Sequence, residues 1–309
     1  MKDIIGLRVS RQPQALLSSW ERLMEARMCG YHIDTMSAGE LTYALDLATK
    51  EGWNPGLYDA APFHAADPAG FFVACVQERL VGCISAVSYD GHFGFIGLFI
   101  VEPRWRGRGI GGALWHAAMA HLSGHTIGLD GVEAEQENYR RAGFERAWGN
   151  ARFAGKVAHH RIDASSLRPA STLAFAQLCA DDRRIYPTPR AAFLAAWLRQ
   201  PGTVALANVD ASGNLRGWGV MRPCHAGYKI GPLAADTPEI GELLLKGLMN
   251  EATNEADIFL DVPLPNTDAV SMASALGMQS VFKTARMYRG PAPLVELDRL
   301  YGITSFELG

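Results

Sequence analysis

The run FGFIGLFIVEPRWRGRGIGGALWHAAMAHL, Phe93 to Leu122, admits few folds. Its opening part, up to Val101, is apolar and rich in β formers, and Pro103 ends it. A turn of arginine and glycine follows, Arg106-Gly107-Arg108-Gly109-Ile110-Gly111-Gly112. Leu114, Ala117, Ala118 and Leu122 then recur at helical spacing. A strand that enters a helix through glycines makes an anion site. Glycine lets a ligand approach the backbone, and the unsatisfied N–H groups of the first helical turn point at it. Arg106 and Arg108 add formal charge to that spot, so the expected ligand is a phosphate.

Gly107, Gly109 and Gly112 spell G-x-G-x-x-G, and Asp130 stands near the distance of a ribose-binding acid, which makes an NAD-dependent oxidoreductase one reading. Three features oppose it. Glu102 to Arg106 separate the strand end from the first glycine. The preceding segments pattern as antiparallel hairpins, with Asp90-Gly91 a hairpin turn, rather than as the opening of a βαβ unit. Asp130-Gly131 leads into a helix with a signature of its own.

Three spaced elements together resemble the GNAT N-acetyltransferase superfamily. Arg106-Gly107-Arg108-Gly109-Ile110-Gly111 is similar to its R/Q-x-x-G-x-G/A pyrophosphate loop. Tyr139-Arg140-Arg141-Ala142-Gly143-Phe144 is similar to its later Y-x-x-x-G-F element, and Val101-Glu102-Pro103 to its V-x-P strand end. Gly52-Trp53-Asn54-Pro55-Gly56, Asp67-Pro68 and Leu129 to Val132 further resemble a tandem-GNAT subgroup related to the YitH-type proteins. That likeness spans nearly the whole chain, through Tyr301 to Gly309.

With 309 residues the chain suits two domains, and its order repeats after a join at Arg161 to Pro169. In the first part, Ile4 to Val9 patterns as a strand, Gln14 to Met28 as a helix, and Ser37 to Glu40 as a capping box opening a helix to Lys50. A loop from Glu51 to Gly70 follows, then three strands, the glycine turn and its helix, a strand at Thr126 to Asp130, a helix at Glu133 to Ala142 and a strand from Phe144. The second part repeats this as helices, three strands, a helix at Pro238 to Asn254, a strand at Asp257 to Val262, a helix at Thr267 to Leu276 and a strand at Gln279 to Tyr288. Ile127-Gly128-Leu129-Asp130 echoes Ile258-Phe259-Leu260-Asp261. The fold class is α/β (α+β): two tandem GNAT-like domains, residues 1–160 and 161–309, each a mixed, mostly antiparallel twisted sheet flanked by helices. In the second copy, Asp236 and Glu239 stand where the first has arginine and glycine, and Ala273 where it has Tyr139. Acids there repel a phosphate, so the second domain is expected to keep the fold, to have lost cofactor binding, and to wall off part of the acceptor pocket.

The resemblance implies direct attack of a primary amine on the acetyl-CoA thioester. Phe99, Ile100 and Val101 would contact the pantetheine arm, with the Val101 N–H facing the thioester oxygen. Gly107 to Gly112, including Arg108, Gly109, Ile110 and Gly111, would hold the pyrophosphate together with Arg106. Tyr139 would give a proton to the departing thiolate. Two family features are missing: Val132 stands where many members have asparagine, and the strand from Phe93 to Leu98 offers no glutamate as base. Asp130 is the candidate in that role, with a turn or capping aspartate as its other reading. Trp53 and Asn54 are expected at the acceptor pocket, or else as parts of a packed loop.

A formal charge of -3 argues against nucleic acid as partner, while one small polyanion still suits a local basic loop. Five cysteines, Cys29, Cys75, Cys83, Cys179 and Cys224, lack metal-ligand spacing, so reduced thiols and no metal are expected. No signal-peptide core or membrane-length apolar run is present, which points to a cytoplasmic protein with no membrane partner. Met272, Met278 and Met287 are expected in the second core. The resemblance implies a small-molecule or peptide amine as acceptor, and a monomer or homodimer is expected. A CoA-binding sensor without turnover is the alternative to an acetyltransferase.

Overall fold

The structure, a computed structural model, describes residues 30–309. The strand expected at Ile4 to Val9, the helix at Gln14 to Met28 and Cys29 lie outside the described residues.

The first half runs β1 (His32–Thr35), α1 (Leu41–Lys50), α2 (Ala60–Ala66), β2 (Phe71–Val76), β3 (Arg79–Tyr89), β4 (Phe93–Val101), α3 (Ile110–His121), β5 (Thr126–Val132), α4 (Gln136–Arg141) and β6 (Glu145–Lys156). The second runs β7 (Leu167–Pro169), α5 (Phe175–Ile185), α6 (Ala191–Trp197), β8 (Val204–Val209), β9 (Leu215–Pro223) and β10 (Tyr228–Ala235). It continues with α7 (Pro238–Asn250), β11 (Asp257–Pro263), α8 (Thr267–Ala275), β12 (Gln279–Arg289) and β13 (Leu300–Gly302). Local chemistry sets many boundaries. Ser37 and Glu40 exchange hydrogen bonds of 2.8 and 3.3 Å ahead of α1, as a capping box should. Asp90 and Gly91 both take positive φ, 54° and 68°, as the tight turn between β3 and β4 demands. Helix α2 lies inside what the sequence marks as a loop. Tertiary contacts fix it: Phe63 is fully buried and stacks on Trp197, while Asp59, just before the helix, pairs with buried Arg222 of β9 at 2.8 Å.

All the main strands join one sheet, in the order β1-β2-β3-β4-β5-β12-β6-β11-β10-β9-β8-β7, with β13 added to β10. Pairing is antiparallel except at β4–β5 and β10–β11. The halves exchange their last long strands. β12 pairs with β5, β6 pairs with β11, and β6 and β12 pair with each other at the centre. The two repeats therefore share a single continuous sheet.

Alternating strand residues face opposite sides. On one side, α3 covers Ala74, Ile84, Ile96, Ile127 and Leu129. Helices α7 and α8 cover a matching core in the second half. On the other side, α1, α2, α5 and α6 form one core common to both halves, with Leu41, Phe63, Phe193 and Trp197 fully buried or nearly so. Met272 and Met278 fill the second core as expected, but Met287 does not: strand exchange carries it into the first, beside Leu129 and under α3. No helix among the described residues is long and apolar enough to cross a membrane.

Candidate active site

A cleft opens where β4 and β5 part. Their parallel pairing runs from Phe93 opposite Thr126 to Ile96 opposite Leu129 and then stops. The cause is a bulge: Leu98 takes a left-handed φ of 46°, and the β3–β4 register shifts between Cys83 and Ser85. The buried Cys83 thiol donates to the Leu98 carbonyl at 3.0 Å and holds the kink. Beyond Ile96, no strand among the described residues covers the β5-facing edge of β4. Leu98 and Phe99 line one wall of the cleft, and Leu129, Val132 and Tyr139 the other. Phe99, Ile100 and Val101 are buried at the β4 end of this opening.

The glycine turn forms the mouth. Gly109, with φ 85°, is the N-cap of α3, and Gly107 has φ 74°. A Cβ placed on Gly107 or Gly112 meets nothing within 4 Å among the described residues, while one on Gly109 would come 3.4 Å from the Tyr31 hydroxyl; the N–H groups of the first turn of α3 have no helical partner. Gly111 lies in that turn, and Ile110 anchors it to the core at 1% exposure. The arginines behave differently from each other. Arg106 Nε donates to the Val101 carbonyl at 2.8 Å and Nη2 to Glu51 at 2.7 Å, so this side chain braces the strand end. Arg108 lies over the Trp105 ring at 4.8 Å.

Tyr139, on α4, packs its ring against Trp115 and Phe144, with centroids 5.9 and 6.3 Å away. Gly131 makes room for it, since a Cβ there would come within 3.0 Å of the ring. Burial pushes the phenol pKa well above its ordinary value, and the Glu135 carboxylate pushes it further. The hydroxyl has no hydrogen-bond partner among the described residues and stays protonated through the neutral range.

The opposite side of the cleft comes largely from elsewhere. Trp53 lines it. Asn54, at φ 51°, spends its amide on the β9–β10 turn, accepting from the Ala226 N–H at 2.9 Å and donating to the Ala226 carbonyl at 3.2 Å. Asp130 lies within β5, which continues to Val132, rather than in a turn. Its carboxylate accepts from Arg286 at 2.9 and 2.8 Å and from Asn150 at 2.8 Å. Burial raises its pKa and Arg286 opposes the rise, leaving it above the ordinary carboxylate value. Six polar or aromatic lining residues were given no site role by the sequence reading: Glu135, Arg152 of β6, Phe282 and Thr284 of β12, then Phe306 and Glu307 beyond β13. No motif marks them. Phe306 and Glu307 fall within Tyr301 to Gly309, a stretch that carries the tandem resemblance but is assigned no role by it.

In the second half the equivalent opening is filled. Pairing of β10 with β11 runs from Tyr228 opposite Ile258 to Ile230 opposite Leu260, and then β13 pairs with β10, setting Gly302 opposite Leu233. The Tyr301 ring lies on Gly241 in the first turn of α7, and Thr237 caps that helix through the Ile240 N–H. Away from both openings, at the β1 edge, His32, Asp34 and Cys75 bring ligand atoms within 4.8 Å of one another, a grouping that residue spacing gave no reason to expect.

Comparison with known proteins agrees with this geometry. The Acetyltransferase (GNAT) family model matches residues 33–144, and an Acetyltransferase (GNAT) domain model matches residues 178–302. Holothin acyltransferase of Pseudoalteromonas sp. (strain SANK 73390) is 28% identical over 263 residues, covering 85% of this chain and 89% of the relative. A Pyrococcus horikoshii protein assigned as an acetyltransferase superposes with a TM-score of 0.76 at 20% identity, over 97% of this chain and 99% of its own. A tandem GNAT protein from the clavulanic acid biosynthesis pathway gives 0.60 at 16% identity, over 85% and 99%. The chain belongs to the GNAT acetyltransferase superfamily, carries two such domains in tandem and is an acyltransferase.

Proposed function

We propose that the protein moves an acetyl group from acetyl-CoA to a primary amine by direct attack, in the cleft between β4 and β5. The observation that carries this reading is the early end of β4–β5 pairing at Ile96 and Leu129, with a glycine-lined helix mouth at one end and Tyr139 facing the gap. An unpaired strand edge is a template for an extended, amide-containing arm. The mouth of α3 suits a diphosphate, because its first N–H groups have no helical partner and the helix dipole favours negative charge.

In this scheme the Val101 amide donates to the thioester oxygen as charge develops there, an effect worth about 3–4 kcal/mol in acyl transfer. Tyr139, kept protonated by burial, gives its proton to the leaving thiolate. Residues 1–160 hold the cofactor. Residues 161–309 keep the fold with their own opening occupied by β13, and lend Phe282 and Thr284 to the acceptor wall.

Acetyl-CoA should raise the melting temperature where NAD does not. Tyr139→Phe should lower kcat by about 10²-fold or more while leaving acetyl-CoA affinity unchanged. Stabilisation by NAD alone, or a Tyr139→Phe effect confined to affinity, would refute this assignment.

A further inference from the structure

Glu307 is the unexplained group of the cleft. It is 2% exposed, its Oε2 has no hydrogen-bond partner among the described residues, and it lines the space between β4 and β5. Its position is built with care. The main chain of residues 303–309 runs from the filled opening of the second half to the open one of the first. It passes so close to β4 that a Cβ on Gly97 would collide with the Glu307 carbonyl. Tyr89 and Tyr186 both donate to the next carbonyl, that of Leu308, at 3.3 and 3.0 Å, and fix the strap from below.

Two buried arginines around it are already committed. Arg286 is spent on Asp130, and Arg152 on Asp261 through bonds of 2.7 and 2.8 Å. Lys229 reaches the Trp53 carbonyl at 3.4 Å, and neither it nor Arg152 comes within ion-pair distance of Glu307. Of the cleft's other two carboxylates, Asp130 is held by Arg286, and Glu135 accepts the Asn138 amide at 2.8 Å on the Tyr139 side. Trp53, Phe99, Phe282 and Phe306 supply aromatic walls. Among the described residues that line it, such a space has an anion waiting for a cation, no cation without a carboxylate of its own, and flat apolar sides.

We infer that Glu307 receives the acceptor's ammonium group, and that the acceptor is a primary amine on a flat apolar body without a carboxylate. This rests on the acetyl-transfer reading above and deepens it. An ammonium acceptor enters with three protons on nitrogen. The first passes to Glu307 and on to solvent, freeing the lone pair. The nitrogen then attacks the thioester carbon. As the C–S bond breaks, Tyr139 protonates the sulfur and is restored by the second proton lost from nitrogen, leaving one N–H in the amide. A carboxylate on the acceptor would be buried beside Glu307 with no partner among the described lining residues, which is strongly unfavourable.

The test pairs amines with their amino acids: 2-phenylethylamine with phenylalanine, tyramine with tyrosine, tryptamine with tryptophan, each with acetyl-CoA and the full chain. At least one amine should exceed its amino acid in kcat/KM by roughly tenfold or more. Glu307→Gln should lower kcat/KM for that amine by about 10²-fold or more. Its residual rate should climb with pH as the free amine forms, and Glu307→Asp should recover part of the loss. Thermal stabilisation by acetyl-CoA should persist in Glu307→Gln, showing that the fold and cofactor site survive. Turnover of Glu307→Gln within a few-fold of the wild type, equal use of the amino acids, or use of none of the amines would overturn the inference and leave the cofactor reading intact. Failure of acetyl-CoA to stabilise the wild-type chain would overturn both.

Discussion

Asp130 and Arg286 face each other directly across β5 and β12, strands from opposite halves of the chain, and close a bidentate ion pair at 2.9 and 2.8 Å. Asp261 and Arg152 repeat the arrangement across β11 and β6. Both pairs are almost wholly buried. Removing one partner strands the other charge in a poor solvent, so Arg286→Ala should lower unfolding free energy by about 3–5 kcal/mol. Asp130→Ala combined with Arg286→Ala should cost less than the sum of the single changes. Urea denaturation of the three variants measures this, and a single-variant loss below about 1 kcal/mol would show the pair to be idle.

Gly112 should respond with opposite signs in two measurements. It lies in the first turn of α3, and a Cβ there would meet nothing within 4 Å among the described residues. Gly112→Ala should therefore stabilise the free protein by up to about 1 kcal/mol, the usual helix advantage of alanine. The added methyl would sit at the mouth where a diphosphate must approach the N–H groups, and acetyl-CoA affinity should fall by roughly tenfold, about 1.4 kcal/mol. Higher melting temperature with unchanged affinity in calorimetry would mean that the glycine serves the turn alone.

What was legible in the sequence is what depends on neighbours along the chain. The glycine turn, the Asp90-Gly91 hairpin, the Ser37–Glu40 cap and the repeated strand-helix order all announce themselves within a few residues. The echo of Asp130 in Asp261 was also readable, but its meaning was not. Asn150-Ala151-Arg152 and Thr284-Ala285-Arg286 carry the same signal, an arginine placed to meet an aspartate, so either strand could close either half. Which one does is settled by long-range pairing. The same non-locality hid α2, whose place depends on Arg222, and Glu307, whose partner surface is Gly97, far away in sequence. Arg106 shows the converse limit: its motif position says nothing of Glu51, which holds it.

Lys229 gives a pH signature to the shared interior. It is 1% exposed, and burial, helped by nearby Arg152 and opposed by Glu307 and Asp261, pushes its pKa from 10.5 down to about 8. Below pH 8 the lysine is charged in folded and unfolded chains alike, and the folded state bears the cost of burying it. Between pH 8 and 10.5 the unfolded chain binds more protons, so stability from this group rises with pH and then levels off. Lys229→Met should stabilise the protein at pH 7 by on the order of 3 kcal/mol. The gain should shrink steadily above pH 8. A gain that is constant from pH 7 to 10 would point to better packing instead.

The exchanged strands predict how a half-chain behaves. Residues 1–160 alone keep β5 and β6 but lose β12, which pairs with both. A bare central edge of this kind seeks another strand. The closest substitute is β6 of a second copy, whose Arg152 can meet Asp130 as Arg286 does in the intact protein. The isolated half should therefore form a symmetric dimer, closed by reciprocal strand exchange. Light scattering should report twice the half-chain mass, and Arg152→Ala should abolish the dimer by leaving Asp130 unpaired. Adding residues 161–309 during refolding should replace it with a one-to-one complex. A folded, monomeric half would show that β12 is dispensable to the first repeat.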